Sequence, residues 1–319
     1  MKIIQISQSK DNFCNRLFSE WLVEYRKIIL HRDIADKTKY NRLNCINYLE
    51  QGLGHIRLCD LRPCHFVELY EQVKVVHEYL AQRLLMEAKS YMYAALSKGW
   101  IDNNSAKDLK YEHISPARSR LSLEQWLEMY NYAKLNAPQW FIHVMLLALV
   151  TGQRRGDLCT MRFDQVHDNM LFIDQMKTHA KICIPLGLKL NILNLKLSDI
   201  VFDCKFYYES NKALDSEYII HKPNGTAVSA ASLSYRFQLV RDASIGLIEN
   251  PPTFHEMRSL SERLYFEQGD VNIRLLLGHM SWTQTLEYQN DRGLLKNNYN
   301  LVDIKYNHPR LSYSIKDIN

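Results

Sequence analysis

MLFIDQMKTHAKICIPL, residues 170–186, contains two β-prone runs, 170–176 and 181–186, separated by Lys177, Thr178, His179 and Ala180. Two such runs around a short polar break predict a β-hairpin. The flanks of this hairpin read mostly as helix. Upstream, residues Gln139–Val150 form an apolar run that predicts a buried helix, and Ser122 with Gln125 has the form of a capping box that opens another. Downstream, residues 187–217 include a leucine-rich stretch (Leu186, Leu188, Leu190, Ile192, Leu193, Leu195) that fits helix best. YIIH (218–221) reads as a short strand before the turn Pro223–Asn224–Gly225, and helices resume over 228–244 and 254–267.

The N-terminal third contains no strand pattern. Phe13, Leu17, Trp21, Leu22, Tyr25, Ile28 and Ile29 recur at three- and four-residue steps, predicting an amphipathic helix that ends near His31. A second helix is expected over Lys37–Glu50, stopped by Gly52 and Gly54. A third begins near His65, and a longer fourth is closed by Gly99. Asn103–Arg120 is polar and aperiodic and includes Pro116, so it reads as a linker.

Composition fits this division. The 319 residues are 46% hydrophobic and 24% charged, which excludes general disorder. Residues 1–120 carry 19 Lys and Arg against 14 Asp and Glu, whereas the remainder carries 21 of each, so the net charge of +5 sits in the N-terminal part. A basic module beside a neutral one suggests binding of an anion, most often nucleic acid, although a solvated lysine face gives the same balance. The apolar run Trp140–Val150, interrupted by His143, falls short of the roughly 20 residues a membrane span needs. The N-terminus lacks a signal-peptide pattern, and a cytoplasmic location is expected. Seven scattered cysteines without a CxxC pair read as reduced thiols. Cys59, Cys64 and His65 lack a second ligand pair at zinc-finger spacing, so no metal and no cofactor is expected.

Four local patterns carry chemistry: TGQRRGDL (151–158), Lys177 in the hairpin turn, PPTFHEMRSLSERLY (251–265) and LLLGHMSWTQTLEY (275–288). Thr253 and Glu256 have capping-box spacing, which places His255 in the first turn of a helix and Arg258 on the same face. A helix N-terminus with a histidine and an arginine is a good oxyanion site. Taken alone, the motif reads more readily as a capped surface helix. Gly278 suits a left-handed helix end just before His279, and Tyr288 follows nine residues later.

In order and spacing, these patterns resemble the tyrosine recombinase (phage-type integrase) family over roughly residues 13–295. The family's six active-site positions fall on Arg154, Lys177, His255, Arg258, His279 and Tyr288. The resemblance implies that Tyr288 attacks a DNA phosphate to form a 3′-phosphotyrosyl link, which keeps the phosphodiester energy for religation. His255 accepts the phenol proton, Arg154 and Arg258 clamp the pentacoordinate phosphorus, and His279 adds a hydrogen bond. Lys177, on a mobile hairpin, protonates the leaving 5′-oxygen. Arg155 then reads as a surface or DNA-backbone residue, and Asp157 as one that orients an arginine or closes a helix start.

The expected fold is mainly α with a small β-sheet: a short extension (1–12), a helical core-type DNA-binding domain (13–104), a linker (105–120), an α+β catalytic domain (121–295) and a tail (296–319) that is a candidate subunit-docking segment. Expected DNA contacts are Lys37, Lys39, Arg42, Lys89, Lys110, Arg118 and Arg120. The partners implied are duplex DNA at core-type attachment sites, a homotetramer on DNA, and a host DNA-bending factor and an excisionase as accessories, with no membrane. A similar member of the family carries an extra N-terminal domain for arm-type DNA sites; the about 12 residues before the first helix here are too few to fold alone, so simpler core-site recombination is expected. By the same resemblance, His179 stands in the turn where a relative has glycine, a possible positive-φ position, which suggests altered loop geometry. The alternative reading is a catalytically silent DNA-binding protein derived from an integrase.

Overall fold

A computed structural model of the chain describes residues 15–111, 118–210 and 216–278, together with strands at 298–300 and 312–314. The chain divides into two compact units, residues 1–116 and 117–319. The first unit holds four helices: α1 (Phe18–His31), α2 (Asp36–Leu53), α3 (Pro63–Lys74) and α4 (Glu78–Ser97). Its core combines leucine and alanine side chains with a cluster of aromatic rings. Trp21 and Tyr25 of α1 lie at 0–1% exposure, and the Tyr25 and Tyr91 rings are 4.6 Å apart. The Trp21 indole donates to the Tyr91 carbonyl at 3.1 Å, so the polar edge of a buried ring is satisfied. Gly52 lies inside α2 and does not end it. A Cβ there would come within 2.7 Å of Leu69, so glycine lets α2 approach α3 closely. Gly99, at φ 73°, follows the end of α4 as expected. Residues expected to begin a free linker are packed instead: Asn104, Ala106 and Leu109 are buried in the helical unit.

The second unit opens with α5 (Leu123–Asn136), where Ser122 and Gln125 exchange the expected capping hydrogen bonds. In α6 (Gln139–Thr151), every residue from Trp140 onward is buried, forming the central pillar of the unit. It ends at Gly152, φ 63°, followed by the short α7 (Arg155–Thr160). An antiparallel sheet then forms from β1 (Val166–His167), β2 (Met170–Asp174) and β3 (Lys181–Pro185), in that order. The hairpin register pairs Phe172 with Cys183. The alternation follows: Leu171, Ile173, Ile182 and Ile184 are buried, and the residues between them are exposed.

The leucine-rich stretch is not helical. It forms a small ribbon, β4 (Lys189–Leu190) against β5 (Leu195–Lys196), linked by a 3-10 turn over Asn191–Leu193 and by Asn194 at φ 53°. The helix α8 (Leu197–Ser210) begins only after it. Among YIIH, Ile219 and Ile220 are buried, but the segment makes only isolated bridges, Tyr218 to Arg162 and His221 to Ala227, and no strand. The helices α9 (Ala230–Ser244), α10 (Glu256–Gln268) and α11 (Ile273–Leu277) follow, and α11 ends at Gly278, φ 63°. In the tail, β6 (Asn298–Asn300) pairs antiparallel with β7 (Ser312–Ser314). The architecture is mainly α with small antiparallel sheets, in agreement with the sequence. No helix among the described residues is long and apolar enough to cross a membrane.

Candidate active site

Arg154 precedes α7 in extended conformation and is half-buried. Its Nη1 donates to Gln175 Oε1 at 2.6 Å. Arg258, one turn into α10, is buried to 1% exposure. It donates from Nη1 to the Gly152 carbonyl at 2.7 Å and from Nη2 to the Leu277 carbonyl at 2.6 Å. The Leu277 carbonyl also accepts from Gln175 Nε2 at 3.0 Å. Two guanidiniums, from elements about a hundred residues apart in the chain, are thus fixed around the end of α11. A Cβ at Gly152 would lie 2.6 Å from Leu277, so the backbone approach needs glycine for room as well as for its positive φ.

Lys177 is exposed in the hairpin turn, and the turn is tied down on both sides of it. The preceding amide, Met176 N, donates to the buried Asp157 Oδ1 at 2.9 Å, and the following hydroxyl, Thr178 Oγ1, donates to Gln175 Oε1 at 2.6 Å. Asp157 therefore anchors the turn rather than an arginine. His179 adopts φ 53°, a left-handed conformation, as a glycine at this position could. Arg155 is exposed and hydrogen-bonds Ser234.

His255 is the N-cap of α10 and is half-buried. Burial holds its imidazole down at about 4, helped by the nearby cations Arg118, Arg258 and Arg154 and opposed by Glu256. It is therefore neutral at pH 7. The Thr253–Glu256 pair does not form a capping box, and no side chain caps α10. The Glu256 carboxylate, fully buried, is instead gripped by Arg118 Nε at 2.6 Å and Arg120 Nη1 at 3.0 Å. Arg120, expected as a DNA contact, has a side chain only 1% exposed that faces Glu256 as an internal counter-ion. Arg118, 35% exposed, is drawn to the same carboxylate.

In the helical unit, Lys37 and Lys110 are exposed, and Lys39 is half-exposed. Lys37 lies over the Tyr40 ring at 4.8 Å and Lys89 over the Tyr111 ring at 5.7 Å. Arg42 sits 3.6 Å from Glu87, an arrangement that offsets its charge. His279 and Tyr288 lie outside the described residues. Cys59 and His65 are engaged with Asn15 and the Arg62 amide, and no metal-binding cluster occurs among the described residues.

Sequence reading missed three buried polar residues here: Gln153, Gln175 and Glu262. All three lay within quoted stretches, but nothing in the residue types around them marks them as buried. Glu262 is fully buried one turn beyond Arg258, and neither carboxyl oxygen has a hydrogen-bond partner among the described residues. Burial raises its carboxyl from 4.5 to about 8, against the opposing pull of Arg258, Arg120 and Arg263. The folded protein thus keeps a proton that the unfolded chain releases between pH 4.5 and 8, so stability falls as pH rises through that window. Glu262→Met is expected to stabilise the protein by about 1–3 kcal/mol at pH 8.5 and by clearly less at pH 5. Thermal melts at the two pH values check this; an equal gain at both would refute the assignment.

The sequence pattern of the phage integrase family matches residues 119–293. The integrase of Escherichia phage lambda is 33% identical over 279 residues, covering 86% of this chain and 76% of the relative. A lambda integrase fragment, crystallised as a dimer bound to a COC′ core site, superposes with a TM-score of 0.82 at 32% identity, covering 91% of this chain and all of that one. Lambda integrase as a tetramer bound to a Holliday junction gives a TM-score of 0.82 at 32% identity, over 92% of this chain and 82% of that one.

Proposed function

Because the chain belongs to the phage integrase family, we propose that Arg154, Lys177, His255, Arg258, His279 and Tyr288 form its active site. The protein is a tyrosine-type site-specific recombinase that cleaves and exchanges DNA strands through a 3′-phosphotyrosyl intermediate. In the cleavage step the Tyr288 phenol oxygen bonds to phosphorus and its proton passes to neutral His255. Arg154 and Arg258 take up the charge on the non-bridging oxygens, with His279 as a further donor. The phosphorus–O5′ bond breaks, and Lys177 protonates the departing oxygen. The observation that carries this reading is the convergence of Arg154 and Arg258 on the end of α11, through Gln175 Oε1 and the Leu277 carbonyl.

The DNA partner follows from the same reading: duplex core-type sites, gripped by the helical unit through Lys37, Lys39, Lys89 and Lys110; Arg42 in that unit and Arg118 in the second contribute less because each faces a carboxylate. Strand exchange requires a homotetramer on DNA, with the tail as the docking segment between subunits. A host bending factor and an excisionase would set direction, and the reaction would take place in the cytoplasm.

The test is a suicide duplex that carries a core site and is nicked near the cleavage position, incubated without metal or ATP. Wild type is expected to form a covalent adduct on a denaturing gel, and Tyr288→Phe none. An adduct that persists in the variant overturns the choice of nucleophile. Absence of an adduct from wild type that binds the site favours a silent DNA-binding protein.

A further inference from the structure

Gln175 follows β2 and is fully buried. Its Oε1 accepts from Arg154 Nη1 at 2.6 Å and from Thr178 Oγ1 at 2.6 Å. Its Nε2 donates to Gln153 Oε1 at 2.7 Å and to the Leu277 carbonyl at 3.0 Å. A primary amide offers two donors and two acceptor lone pairs, and all are used here. The orientation is dictated by the partners, since a guanidinium can only donate and a carbonyl can only accept. The backbone of Gln175 also closes the turn: its amide donates to the Ala180 carbonyl at 3.0 Å, and its carbonyl accepts from His179 N at 2.8 Å.

These bonds reach three parts of the active site. One fixes the Arg154 guanidinium. One holds Thr178, the neighbour of Lys177. One holds the carbonyl of Leu277, two residues before His279. Gln153 reinforces the last by donating to the Leu276 carbonyl at 2.8 Å. Gly278 fits tightly over the amide, since a Cβ there would lie 2.9 Å from Gln175 Oε1. We propose that Gln175 is a positioning residue for DNA cleavage: its side-chain amide aims Arg154 and sets the hairpin turn so that Lys177 meets the leaving oxygen. The inference rests on the active-site reading given above.

Gln175→Met keeps length and apolar volume but removes all four side-chain hydrogen bonds. Single-turnover adduct formation would be measured on two nicked duplexes, one with the ordinary phosphodiester and one with sulfur replacing the bridging 5′-oxygen. The thiolate leaves without a proton, so the second substrate bypasses Lys177. We expect Gln175→Met to be slowed about 100-fold on the phosphodiester and to regain about 10-fold with sulfur, the remainder reflecting the loosened Arg154. Core-site affinity should be unchanged. Equal slowing on both substrates, or no slowing, overturns the proposal.

If Gln175→Met does not fold, Thr178→Val decides. It should slow the phosphodiester reaction about 10-fold and leave the sulfur reaction unchanged. No effect, or equal slowing on both substrates, overturns the proposal. Lys177→Ala serves as the reference. If sulfur rescues Lys177→Ala but not Gln175→Met, the positioning role alone fails. If sulfur does not rescue Lys177→Ala, or wild type forms no adduct, the active-site reading fails and the positioning role with it.

Discussion

Arg258→Lys is expected to cleave DNA on the order of 1,000-fold more slowly than wild type, although it preserves the positive charge. The arginine is 1% exposed, and its two terminal nitrogens reach the carbonyls of Gly152 and Leu277, which lie on different segments. These bonds fix the plane of the guanidinium. A lysine ammonium is a compact point charge on a flexible stem, and it cannot span both carbonyls while also presenting a planar fork to phosphate oxygens. A carbonyl left unmatched in this dry site should cost about 1–3 kcal/mol of stability as well. Single-turnover cleavage well below the melting temperature, alongside core-site binding, separates the two effects. A variant that melts lower but cleaves at the wild-type rate would reduce Arg258 to a structural role.

The second large effect concerns stability. Glu256→Ala removes a fully buried carboxylate that faces Arg118 and Arg120. Arg120, at 1% exposure, would then keep its charge in a dry interior without this partner, a change that typically costs 3–5 kcal/mol, or on the order of 10 °C in melting temperature. Arg120→Ala should approach that loss, whereas Arg118→Ala should cost less because that side chain is 35% exposed. The double variant Glu256→Ala/Arg120→Met should melt higher than Glu256→Ala alone, since removing both charges leaves neither stranded. Additive losses would show that the two groups are not coupled.

Local patterns in the sequence were reliable guides where local forces decide the structure. The hairpin follows from alternation between buried and exposed side chains, and the Ser122 cap and the Gly278 helix end follow from residue types that favour those conformations. The leucine-rich stretch was harder, because leucines spaced by two and then by one and two residues suit a short ribbon as well as a helix. There Asn194 in the left-handed conformation turns the chain back. The T-x-x-E pattern at Thr253 failed for a different reason: its glutamate is claimed by arginines more than 130 residues earlier in the chain. The same long-range pairing turns Arg120 inward, toward Glu256, which no local pattern around it foretells. Gln175 carries no signature of its own, since a glutamine after a strand becomes significant only when Arg154, Gln153 and the end of α11 fold around it.

The Glu256 pairing also fixes where the chain can be cut. A catalytic fragment begun at Leu121, where sequence pattern alone opens the domain, would contain every residue of α5 through α11 yet leave a fully buried carboxylate without two of its counter-ions. Beginning the fragment at residue 117 adds four residues and keeps both arginines. For anyone dissecting this enzyme, the proper first residue is set by a charge balance inside the catalytic unit, and not by where the first helix starts.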